Sequence, residues 1–94
     1  MQSSAISVFI PGLLRDRCNG AAELTLAASS VRSALALIDA RFPALYRSVC
    51  DETGAVRRHV NLFVNADNIR DLEGLDSALA AGDVLTILPA ISGG

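Results

Sequence analysis

The apolar residues of this chain keep two different periods, and the order in which the periods alternate restricts the fold to a small set. In AISVFI, Ile6, Val8 and Ile10 fall on every second residue, the period of a strand with one face buried. Pro11 and Gly12 end that run, and ELTL, with Leu24 and Leu26 on one side, follows the turn-like Asn19 and Gly20. The two runs read as a hairpin joined by a loose loop. Val31, Leu35, Ile38 and Phe42 then recur at helical spacing behind Ser29 and Ser30, either of which can cap the free N–H groups of a helix start. Pro43 stops that helix, and Arg41 sits where the negative end of the dipole favours a cation.

The strand period returns in the second half. ALYRSVCDETG reads as a short extra turn closing at Gly54, and HVNLFVN then alternates with Val60, Leu62 and Val64 on one face. Asn61, Phe63 and Asn65 take the other face, and this is the strongest strand of the chain. The stretch ADNIRDLEGLDSALAAGD holds at most a short strand centred on Ile69 and a single helical turn around Ser77 to Ala80, punctuated by Gly82-Asp83. VLTIL is a final strand running into Pro89. Two strands, one main helix and two or three more strands leave the helix one surface on which to bury its stripe, a face of the sheet. The expected fold class is α+β, a mixed sheet of four to five strands on one main helix.

Size and composition remove other classes. With 94 residues there is room for one core, and 51% hydrophobic against 19% charged residues is far from a disordered composition. A net charge of -2 lacks the basic footprint of a nucleic-acid binder. AISVFIPGLL is too short to span a bilayer and has neither a preceding Lys or Arg nor a following cleavage site, so no membrane association and a cytoplasmic location are expected. Cys18 and Cys50 match neither zinc-ligand nor CxxC spacing and read as packing residues. His59, beside Arg57 and Arg58, has no Cys or carboxylate at a triad or metal spacing. Asp51 and Glu52 read as a solvated loop, and Gly12, Gly54 and Gly74 lack phosphate-loop spacing. No metal, bound cofactor or intrinsic enzyme activity is expected.

ILPAISGG, the last eight residues, is then the feature without a packing role. Gly93 and Gly94 carry no side chain, and glycine loses more freedom on ordering than any other residue. The order of elements, VNLFVN, Asn68-Ile69-Arg70, Gly82-Asp83 before the last strand and the ILPAISGG end together resemble the ubiquitin-like sulfur carrier proteins, which include the molybdopterin synthase small subunit and the thiamine sulfur carrier. FIPGLLR, VNLFVN and ILPAxxGG look most like carriers that deliver sulfur for thiocarboxylate-dependent cysteine synthesis.

The resemblance implies a β-grasp domain over residues 1–88 and an extended diglycine tail over 89–94. It implies that the Gly94 α-carboxylate reacts: an E1-like adenylating enzyme would use ATP to activate it, and sulfur would displace AMP to leave a thiocarboxylate. The acceptor would be a cysteine synthase-like enzyme or the large subunit of molybdopterin synthase, and in the cysteine route a metallopeptidase would release the product. Pro89, with fixed φ and no N–H, would stop the last strand and turn the chain outward. Ala90, Ile91, Ser92 and Gly93 would thread into the partner. Alternation puts Phe9, Phe63 and Leu88 on the face away from the helix, where they are expected to form an apolar patch that docks the partner. Alternative readings are the molybdopterin synthase small subunit, a ubiquitin-like modifier that forms isopeptide bonds, and a β-grasp binding module whose tail has no role.

Overall fold

The two hydrophobic periods meet across one sheet and one main helix in the computed structural model, which describes residues 5–89. The strands are β1 (Ala5–Phe9), β2 (Glu23–Ala27), β3 (Val60–Val64), β4 (Asp67–Asn68) and β5 (Val84–Pro89), and the helices are α1 (Val31–Arg41) and α2 (Pro43–Val49). The sheet order is β2-β1-β5-β3-β4, with β1 parallel to β5 and every other pair antiparallel. This is the β-grasp arrangement. The last strand lies in the middle of the sheet, so the ends of the described chain are tied together and everything between them forms the crossover.

Alternation decides what goes inward. Ile6 and Val8 of β1, Leu26 of β2, Val60 and Leu62 of β3 and Leu85 and Ile87 of β5 are almost wholly buried. They form one core with Val31, Leu35 and Ile38 of α1, three of the four residues of the stripe expected from helical spacing, and with Ala34 beside them. Phe42, also expected on that stripe, caps α1 and is partly buried against the core. Of the two candidate serines, Ser30 is the cap: its hydroxyl accepts from the Ser33 N–H at 3.1 Å, and the Ser33 hydroxyl accepts from the Ser30 N–H at 3.1 Å.

Four local expectations are corrected. The β1–β2 connection is no loose loop but a 3-10 helix, Gly12–Cys18, because Leu14 and Cys18 lie four residues apart and both reach the core. It closes through Asn19 and Gly20, both at positive φ. The extra turn after α1 is a helix of seven residues, α2, with Pro43 in its first turn, where the missing N–H costs nothing, and with Leu45 and Val49 buried. Ile69 is not the centre of a strand: β4 is two residues long, and Ile69 enters the core from a 3-10 turn, Ile69–Asp71. The Ser77–Ala80 segment is not helical either. Ala78 forms an isolated bridge with Ser30, the Val31 N–H donates to the Ser77 carbonyl at 3.0 Å, and the Leu79 N–H donates to the Ser29 carbonyl at 2.9 Å. That segment therefore satisfies a backbone donor at the start of α1 while placing Leu79 in the core. The helical turn of this region lies earlier, at Gly74–Asp76.

Because the side-chain cap of α1 is Ser30 and not Ser29, Ser30→Ala should cost about 1 kcal/mol in a denaturant titration, whereas Ser29→Ala, at an exposed site, should change stability by less than about 0.5 kcal/mol.

Candidate functional site

The face of the sheet away from α1 is set by the strand register. Phe9 stands opposite Thr86, and Thr86 stands opposite Phe63, so the three side chains form one row across β1, β5 and β3. Leu88 belongs to the row of Asn61, on the same face of β5 as Thr86. Phe9 and Leu88 are 40% and 44% exposed, a high value for such large apolar groups, and Phe63 is half-buried. The structure thus brings the three predicted docking residues onto one face.

Three further residues extend this surface. Val84, 38% exposed, continues the alternation of β5 toward Ser7. That position was legible in the sequence, since Val84, Thr86 and Leu88 are spaced by two. Arg15 and Arg70 were not, because both come from 3-10 turns that periodicity does not reveal. The Arg15 guanidinium lies 5.7 Å from the Phe9 ring centroid, held by its Nε donating to the Ile10 carbonyl at 2.9 Å. Arg70 donates to the Asn61 side chain and, at 3.1 Å, to the Val60 carbonyl. The patch is an apolar centre with a guanidinium group bordering it at Phe9 and another at Asn61, beside Leu88.

The turn before β5 fixes where that strand starts. Asn65, at φ 56°, accepts from the Val84 N–H through its side-chain oxygen at 3.0 Å and donates to the Asp83 carboxylate at 3.2 Å. Asp83 also accepts from the Ala80 N–H at 2.8 Å. The Ala80 and Asn65 bonds, in that order, hold the Asp83 carboxyl below its ordinary pKa. This gives Gly82-Asp83 a structural reason: Gly82 takes φ 88° in the turn, and Asp83 clamps the end of β3 to the start of β5.

The far end of β5 leads to the tail. Pro89, expected at the head of the tail, is the last residue of the strand and pairs with Val60. The Asn65 N–H donates to the Val84 carbonyl at 2.8 Å, and an antiparallel ladder alternates bonded and non-bonded pairs, so Val60–Pro89 is a non-bonded pair. The missing N–H of proline therefore costs the β3 ladder nothing. On the other side, the pairing of β5 with β1 stops at Thr86. Ala90, Ile91, Ser92, Gly93 and Gly94 lie outside the described residues.

The other polar groups singled out in the sequence lie apart from this face. His59 is exposed, and Asp51 is engaged in its own loop, accepting from the backbone N–H groups of Thr53 at 2.8 Å and Ala55 at 3.2 Å. Burial pushes the thiols of Cys18 and Cys50 up from their ordinary pKa, which disfavours the nucleophilic thiolate. Among the described residues no cluster of three or more His, Cys, Asp and Glu side chains is placed to hold a metal ion. No helix among them is long and apolar enough to cross a membrane.

This geometry has close counterparts. Sulfur carrier protein CysO of Mycobacterium tuberculosis is 31% identical over 91 residues, spanning 95% of this chain and 98% of the relative. The crystal structure of the Amycolatopsis orientalis BexX/CysO complex contains a chain that superposes with a TM-score of 0.88 at 30% identity, over 96% of this chain and 100% of that one. Small archaeal modifier protein 1 of Methanosarcina acetivorans superposes with a TM-score of 0.83 at 31% identity over the full length of both chains. The sequence pattern of the ThiS family matches residues 8–94, from β1 through the terminal diglycine, and the chain belongs to that family.

Proposed function

We propose that the chain is a sulfur carrier that holds sulfur as a thiocarboxylate on Gly94 and donates it in biosynthesis, most directly of cysteine. The observation that carries this reading is that the family match extends through Gly94 on a domain whose last strand lies at the centre of the sheet. Similarity to the CysO carriers supports the cysteine route.

The chemistry divides between the chain and its partners. A carboxylate is a poor electrophile, so a Gly94 oxygen first attacks the α-phosphorus of ATP in an adenylating enzyme, and pyrophosphate leaves. Hydrosulfide then attacks the acyl carbon of the adenylate, and AMP leaves with the bridging oxygen. The terminal C–O bond becomes C–S, and the thiocarboxylate sulfur bonds to Cβ of an activated serine such as O-phosphoserine as phosphate leaves; the acyl group then passes from sulfur to the amino group, and hydrolysis of that amide by a peptidase frees cysteine and restores the Gly94 carboxylate. This chain contributes the carboxylate, a route to it and a surface by which it is found. An extended residue spans at most about 3.6 Å, so five residues put Gly94 within about 18 Å of Pro89. An enzyme that takes Gly94 into its active site is thereby brought close to Leu88 and the Phe9–Phe63 row. Glycine at 93 and 94 lets the backbone enter a narrow channel, where a Cβ would meet the walls.

A second reading is favoured by the similarity to small archaeal modifier protein 1, whose name describes a modifier. There the same acyl-adenylate would be attacked by a lysine amine, with AMP leaving and an isopeptide bond forming.

With a purified adenylating enzyme, ATP and sulfide, the intact chain should gain the mass of one sulfur for one oxygen. The chain lacking Gly94 should fold as before and gain nothing; equal gain by the truncated chain would rule out Gly94 as the carrier atom's site. Phe63→Ala should weaken binding to the same enzyme by roughly thirtyfold, the cost of truncating a buried aromatic anchor, while its thermal melt stays cooperative. Unchanged affinity would move the docking face elsewhere.

A further inference from the structure

The proposed function leaves the Arg57-Arg58-His59 run without a role, yet the fold places Arg57 and His59 in one cleft with Pro89. A cleft of about 490 Å3 is lined by Leu13, Arg17, Arg47, Arg57, His59 and Pro89 among others, and no carboxylate lines it. It draws three guanidinium groups together on a chain whose net charge is -2. Arg17 is partly neutralised by Asp16 at 3.0 Å. Arg47 and Arg57 form no ion pair among the described residues, although they border a second cleft that also carries Asp39, Asp51 and Glu52. Arg57 is preorganised, its Nε donating to the Arg47 carbonyl at 2.8 Å. Leu13, 63% exposed, adds an apolar contact at the cleft.

We propose that this cleft is an electrostatic docking site for an acidic surface at the mouth of the tail-binding channel of the adenylating enzyme, a reading that rests on the carrier function above. Two observations select that occupant. The lining is cationic and free of carboxylates, so its complement is anionic. Pro89 lines the cleft and the five residues after it span at most about 18 Å, so a protein that draws in Gly94 is brought near the cleft. The cleft and the apolar sheet face then act separately: the face supplies buried area, and the guanidinium groups orient the chain so that the tail meets the channel.

The experiment is a titration of the adenylating enzyme with the wild-type chain, Arg47→Gln, the pair Arg17→Glu and Arg47→Glu, and Arg32→Glu as a control at the start of α1, each at low and high salt, beside thermal melts. The double variant should bind about tenfold or more weakly at low salt and lose most of the salt dependence of the wild type, Arg47→Gln should fall between, and the control should stay within about twofold. Wild-type affinity and salt dependence retained in the double variant would overturn the cleft proposal, and loss of binding in Phe63→Ala alone would leave the carrier reading standing without it. Tighter binding by the double variant would mean that the cleft holds the chain's own terminal carboxylate, which also overturns the proposal. A wild-type chain that does not bind the adenylating enzyme at all would remove the carrier reading and this one with it.

Discussion

The pairing of β5 between β1 and β3 is the interaction on which the rest of this molecule depends. One ladder is parallel and the other antiparallel, and together they bury Leu85 and Ile87 completely. A strand with neighbours on both sides cannot slip by one residue without turning these two side chains to solvent and carrying Thr86 and Leu88 into the core. The same register puts Phe9, Thr86 and Phe63 in one row on the outer face. Core and outer apolar row are thus two consequences of one alignment, which also fixes the position of Pro89 at the end of β5.

What was legible in the sequence follows from the range of the interactions involved. The five inward positions of β3 and β5, the stripe of α1 and the outward Phe63 and Leu88 are set by alternation and helical period, which any stretch of chain displays on its own. The capping serine was ambiguous because Ser29 and Ser30 offer the same hydroxyl, and the choice between them is made by Ser33 and by the Ser77–Leu79 segment packed against the helix start. The 3-10 helix Gly12–Cys18 was missed because two core residues, Leu14 and Cys18, are too few to establish a period. Arg15 and Arg70 were missed because 3-10 turns show no period, and the cleft at Pro89 for a stronger reason: it is assembled from segments far apart in the chain, and spacing carries no information about it.

The diglycine is the reverse case. Its meaning came from its sequence context, since GDVLTILPAISGG joins a strand start, a central strand and two closing glycines in one run. The fold accounts for the first part of that run. Gly82 and Asp83 make the turn that starts β5, Leu85 and Ile87 are core, and Pro89 ends the strand at a pair that needs no N–H. Each of these residues is explained by packing or by turn geometry, and the proposed function assigns the last residues chemistry at the terminal carboxylate. On that proposal the chain works as a handle: the domain is recognised and the terminus is acted upon.

Carrier and modifier share the domain, the adenylate and the diglycine, and differ only in the atom that attacks the activated carbonyl. Intact-mass analysis of the protein isolated from its own cells reads that atom directly. The carrier account predicts a population of the free chain with one sulfur in place of one oxygen, mapped to Gly94 by fragmentation. A free chain without sulfur, together with branched peptides in which Gly94 is joined to lysines of other proteins, would contradict it.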